Sequence, residues 1–182
     1  VLAGGLVMFG NYRKMKDMEA VIASVMPSDV KTGGLRSFAG QDEDGDLEVD
    51  THHTIEDTGI VLGQAIRKAV GDKKGICRYG SQILPMDEAL VICALDLCGR
   101  PYLVYDLNLD REKVGDLETE MVREFFYAVS YGGEMNLHLR QMSGSNNHHI
   151  IEAAFKAFAK ALDGATGYDP RLTDVLSTKG SL

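Results

Sequence analysis

A chain of 182 residues, 45% hydrophobic and 25% charged, is long enough to bury a core of its own and has the composition of an ordinary globular protein. Its balance is acidic, 19 Lys+Arg against 27 Asp+Glu for a formal net charge of −8, which argues against nucleic acid as a partner because phosphate backbones need clustered cations. The apolar opening run, residues 1–9, has no cationic flank and is too short to cross a bilayer, and no other run approaches membrane length, so no membrane partner is expected. Cys77, Cys93 and Cys98 form no Cys-x-x-Cys pair; reduced thiols and a cytoplasmic location are expected.

In chain order, Met18, Val21, Ile22 and Val25 recur at helical spacing and predict a short amphipathic helix over residues 16–26. Residues 28–46 are rich in Gly, Ser and Asp and read as loop. Asp46-Leu47-Glu48-Val49-Asp50 alternates as a half-buried strand does. A helix follows over 55–70 and ends in Gly71-Asp72-Lys73-Lys74-Gly75. Strands are predicted over 81–84, 89–97 and 101–107, and a helix over 118–131 with Val122, Phe125, Phe126 and Val129 as its apolar stripe. Residues 136–142 alternate again, with Leu137 and Leu139 on one face and His138 on the other. A loop at 143–147 leads to a last helix over 150–162, and the Gly/Thr/Ser-rich tail from 163 to 182 reads as extended.

All five histidines belong to, or lie near, two copies of one pattern: His52-His53-Thr54-Ile55-Glu56 and His148-His149-Ile150-Ile151-Glu152, with His138 on the strand before the second. Each copy follows an alternating strand and leads into an amphipathic helix, which makes the pair an internal repeat of one supersecondary unit. If each pair opens a helix, its histidines lie four and three residues before the Glu and share its face. Neighbouring histidines still point about 100° apart at 3.6 residues per turn, so each pair is better placed to serve two metals than to chelate one. Nitrogen with carboxylate oxygen suits Mn, Fe or Zn. A single His-x-x-Glu is commonly a surface hydrogen bond; two copies holding four of five histidines favour ligation. His138 alone reads as a strand histidine; its place on the polar face just upstream of the second motif makes ligation an equal reading. Neither a His-Glu-x-x-His metalloprotease pattern nor a Gly-rich nucleotide loop is present.

With these residues the chain resembles imidazoleglycerol-phosphate dehydratase of histidine biosynthesis. The resemblance is carried by Gly45-Asp46-Leu47-Glu48-Val49-Asp50-Thr51-His52-His53-Thr54-Ile55-Glu56-Asp57, Arg78-Tyr79-Gly80 and Pro85-Met86-Asp87-Glu88-Ala89. It continues through Asp96-Leu97-Cys98-Gly99-Arg100-Pro101-Tyr102, Asn147-His148-His149 with Glu152-Ala153-Ala154-Phe155-Lys156-Ala157, and Ser177-Thr178-Lys179-Gly180. Cys98 stands where the family has serine, a small-for-small exchange. The family's Phe-Asp-His-Met-Leu motif and its Arg-x-Thr-x-Glu-Thr strand do not occur in this sequence, and no histidine precedes His52.

The resemblance implies an α/β (α+β) fold of two pseudo-symmetric half-domains, residues 1–79 and 80–182, each a four-stranded sheet with helices on one face, like the second domain of ribosomal protein S5. It implies a homo-oligomeric shell of 24 subunits, with active sites between subunits and two manganese ions in each. His52, His53, Glu56, His138, His148, His149 and Glu152 would be metal ligands, and Arg78, Arg100, Lys156, Ser177 and Lys179 would hold the phosphate of a small phosphorylated imidazole substrate. The implied reaction removes water from imidazoleglycerol phosphate to give imidazole-acetol phosphate. Two metals on the ring nitrogens would favour the imidazolate and make the ring an electron sink, while Glu56 or Glu152 shuttles the proton. The alternative is a catalytically impaired homologue with an altered N-terminal half that serves as a metal-binding structural subunit.

Overall fold

The computed structural model describes residues 51–178, with side chains from residue 55 onward. The expected helix over 16–26, the strand over 46–50, the side chains of His52 and His53, and Lys179 lie outside the described residues, as does any sheet of a first half-domain. Within them the order is α1 (Thr51–Val70), β1 (Tyr79–Met86), β2 (Ala89–Asp96), β3 (Tyr102–Asp106), a two-residue hairpin of β4 (Lys113–Val114) and β5 (Leu117–Glu118), α2 (Glu120–Gly132), β6 (Asn136–Ser143) and α3 (Asn147–Thr166).

The class is α/β, as expected: one four-stranded sheet ordered β1-β2-β6-β3, with α2 and α3 against a single face. β1–β2 and β2–β6 are antiparallel, whereas β3 and β6 run parallel because α2 carries the chain back across the sheet between them. Alternation decides the faces. Val91, Cys93, Leu95, Leu137 and Leu139 point into the core. His138, paired across the ladder with Ala94 and Val104, points to the opposite, open face.

The core between sheet and helices is built around Phe125, Phe126, Phe155 and Phe158, whose ring centroids lie 4.8–5.7 Å apart in tilted and edge-to-face pairs. Ile150, Ile151, Ala154, Ala157, Ala161 and Ala165 form the buried stripe of α3. That stripe carries the helix four residues past the expected end at 162, through Gly164, so the start of the expected extended tail is helical. Beyond it the tail turns back along residues 74–78, where Cys77 N–H donates to the Gly167 carbonyl (2.8 Å) and Asp169 N–H to that of Gly75 (2.9 Å).

Helix α1 packs on α2 through small residues. A Cβ at Gly63 would come within 2.6 Å of the Val129 carbonyl oxygen and the Gly133 nitrogen, and one at Gly59 within 2.7 Å of Ala128 Cβ. Backbone meets backbone here, so no flexible side chain can give way. Gly63→Ala is therefore expected to cost about 1–3 kcal/mol by overpacking. Gly164, exposed on α3 with nothing within 4 Å of its would-be Cβ, is expected to gain about 0.5–1 kcal/mol on substitution by Ala. Opposite shifts in the denaturation midpoints of the two variants would verify the packing; a neutral Gly63→Ala would contradict it.

Candidate active site at the start of the last helix

Asn146, in extended conformation, caps α3 by accepting from the His148 N–H at 2.9 Å. The cap puts His148 and His149 inside the first helical turn, in a helix that begins at Asn147, three residues earlier than the expected start at 150. The backbone of α1 likewise starts at Thr51, ahead of His52 and His53. Asn147 between cap and histidines is buried, and its side chain ties the helix start to the 107–118 connection by bonding Asp110 and the Arg111 N–H, each at 2.9 Å.

The two imidazoles diverge, their centroids 6.2 Å apart and their planes at 67°. His148 Nε2 lies 3.3 Å from Glu152 Oε2 one turn along the helix, and Lys156 Nζ, a further turn on, donates to the other oxygen of Glu152. Lys156, with His148 behind it, holds the Glu152 carboxyl below the ordinary carboxylate range. Glu152 is thus an ionised carboxylate whose two oxygens face an imidazole nitrogen and an ammonium group.

His149 belongs to a different neighbourhood. Its Nδ1 lies 2.7 Å from Glu88 Oε2, and its Nε2 lies 3.6 Å from Asp87 Oδ2. Asp87 and Glu88 form the two-residue turn between β1 and β2, with Asp87 in the left-handed region at φ 48°, which aspartate tolerates better than most residues. The other Glu88 oxygen accepts from the N–H groups of Ser145 (3.2 Å) and Asn146 (2.8 Å). Those bonds, with His149 foremost, pull the Glu88 carboxyl down to about 2. The same Glu88 contact raises the His149 pKa. An ionised carboxylate only accepts, so Nδ1 carries the hydrogen of this contact.

Chemically, the turn of α3 offers two nitrogen donors, each beside a carboxylate oxygen, in negative surroundings that suit a divalent cation. Among the described residues of one chain, no three His, Cys, Asp or Glu side chains converge to hold a metal. The exposed Glu56 on α1 and His138 on the open sheet face make no hydrogen bond or ion pair with the α3 cluster among the described residues. Arg100 is exposed beyond Gly99, its backbone carbonyl accepting from Asn136 at 2.6 Å. Sequence reasoning gave Asp87, Glu88 and Asp96 no roles; the available signal was a pair of carboxylates at a hairpin tip.

Arg78 lies at the other end of β1, buried and left-handed at φ 68°. Its Nε and Nη2 meet Asp96 at 2.7 and 3.1 Å, and its Nη1 donates to the Leu176 carbonyl at 2.6 Å. Three of its five N–H donors are thus committed to a bidentate ion pair and to the segment carrying Ser177. Breaking a charged hydrogen-bonded pair of this kind costs about 1.5–3 kcal/mol. Asp96→Asn is expected to lower stability by that amount and to speed proteolytic clipping after residue 167. Unchanged clipping would deny the tail its anchor.

Comparison with known proteins identifies the family. The family model "Imidazoleglycerol-phosphate dehydratase" matches residues 37–162. The chain is similar to the imidazoleglycerol-phosphate dehydratase of Lachnoclostridium phytofermentans, 67% identical over 138 residues that make up 76% of this chain and 70% of the relative. The corresponding protein of Acetivibrio thermocellus is 62% identical over 76% of this chain and 71% of its own length. The Staphylococcus aureus enzyme structure superposes with a TM-score of 0.64 at 45% identity, covering 66% of this chain and 71% of that one. The Pyrococcus furiosus enzyme in complex with (S)-C348 gives 0.65 at 39% identity, covering 72% and 71%. The family match and these identities define a hydro-lyase of amino-acid biosynthesis. The chain belongs to the imidazoleglycerol-phosphate dehydratase family, which acts in histidine biosynthesis. No helix among the described residues is long and apolar enough to cross a membrane.

Proposed function

We propose that the chain dehydrates imidazoleglycerol phosphate to imidazole-acetol phosphate in the cytoplasm with the help of two manganese ions, in active sites completed between subunits of a 24-subunit shell. The observation that carries this reading is the divergence of His148 and His149, each imidazole beside its own carboxylate. His148, His149 and Glu152 would hold metal from this end, joined by His138, His52, His53 and Glu56, some of them from a neighbouring copy. Bound manganese would supply Lewis-acid polarisation of the substrate's imidazole ring.

The chain's own groups supply the rest. Glu152, kept ionised by Lys156, or Glu56 on α1 takes the proton from the carbon attached to the ring and returns a proton to the departing hydroxyl. Arg78, Arg100, Lys156, Ser177 and Lys179 hold the phosphate, which fixes the register of the glycerol chain and disfavours unphosphorylated analogues. Arg78 and Ser177 already share a neighbourhood through the Leu176 carbonyl.

Two measurements test the reading together: manganese per chain, and dehydration of imidazoleglycerol phosphate followed by product formation. About two manganese ions with turnover are expected, and His148→Ala should lower turnover by at least about 100-fold, the upper end of what losing even a ligand's supporting partner costs. Turnover unchanged by His148→Ala would remove that residue from the metal site. Manganese binding without turnover would instead fit a metal-binding structural subunit.

A further inference from the structure

The Glu88 carboxylate is a junction between two segments far apart in sequence. One oxygen accepts the backbone N–H groups of Ser145 and Asn146, which fix the loop entering α3. The other meets His149 Nδ1 at 2.7 Å. Its own main chain is anchored by the same segment, where Ser143 Oγ donates to the Glu88 carbonyl at 3.1 Å. An ionised acceptor on Nδ1 places a hydrogen there, so the neutral ring carries its lone pair on Nε2, which faces Asp87 Oδ2 at 3.6 Å. It also orients the ring by way of the β1–β2 turn rather than by α3 itself.

We infer that Glu88 is a positioning residue for the metal site: by engaging His149 Nδ1 while holding the loop that starts α3, it presents His149 Nε2 to manganese. The inference rests on the reading of His149 as a metal ligand and assigns the turn between β1 and β2 a part in it. Supporting carboxylates on ligand histidines are worth about 10–100-fold in metal affinity.

The test is manganese(II) affinity of the full-length protein, read from free manganese by electron paramagnetic resonance, with denaturation midpoints measured alongside. Glu88→Ala is expected to weaken manganese binding about 10–100-fold, with a smaller loss for Glu88→Gln, whose amide oxygen keeps one neutral acceptor. His149→Asn should weaken binding at least as much. Asn146→Ala removes the α3 cap without touching the ring and reports what a loosened helix start does by itself; it should lower the midpoint and leave affinity within a few-fold. Full affinity in Glu88→Ala beside a clear loss in His149→Asn would overturn the inference and leave the proposed function standing. Full affinity in both would overturn the ligand assignment and the inference with it. An Asn146→Ala loss equal to that of Glu88→Ala would reduce Glu88 to a helix-start stabiliser and overturn its positioning role. Should Glu88→Ala fail to fold, Glu88→Gln carries the comparison: weakened binding supports the inference, unchanged binding refutes it.

Discussion

Helix α3 lies so close to β1 that nothing larger than glycine fits at position 80. A Cβ there would stand 1.8 Å from the Ala161 carbonyl oxygen, far inside van der Waals contact, and both sides of the contact are backbone. This approach fixes helix and strand in one relative placement, with Gly80 near the C-terminal end of α3. From there the strand runs back toward the start of the helix: the steps from Gly80 to Asp87 advance about 23 Å at 3.3 Å per residue, and those from Ala161 back to His149 about 18 Å at 1.5 Å. The lengths match closely enough that the β1–β2 turn arrives at the histidine pair. A bulkier residue at 80 would displace the helix from the strand, and the 2.7 Å approach of Glu88 to His149 depends on that placement.

Much of this arrangement was legible in the sequence because periodicity reports burial. The apolar run of 89–97, the alternation of 136–142 and the apolar stripe at Val122, Phe125, Phe126 and Val129 gave strands and a helix at close to their observed bounds. What failed was punctuation. Gly164 and Thr166 read as a breaker, yet Ala161, Leu162 and Ala165 continue the buried stripe through them, and packing outweighs an intrinsic cost of about 1 kcal/mol for one helical glycine. The β4–β5 hairpin left no pattern at all, since two residues per strand are too few to alternate.

The site divides along the same line. Histidines and their Glu stand within five residues of each other, so local spacing exposes them. Glu88 lies 61 residues from His149 and Asp96 lies 18 from Arg78; only tertiary structure makes either a partner. Residues 85–89 could carry the family resemblance without disclosing what their carboxylates do. A short motif identifies chemistry when its parts share one element, and hides it when they meet across the sheet.

That division bears on why the histidines are adjacent. Side chains next to each other on a helix point about 100° apart, and here each is governed by a different part of the fold. His148 answers to its own helix through Glu152 and, behind it, Lys156; His149 answers to the hairpin turn through Glu88 and Asp87. A shift of α3 along its axis would carry the first group with it unchanged and would pull the second apart. The proposed two-metal centre then has one half whose geometry travels with α3 and another that depends on the sheet staying in register with it. Gly80 holds that register. The tight contact at one end of β1 is thus a condition for the Glu88–His149 contact at the other.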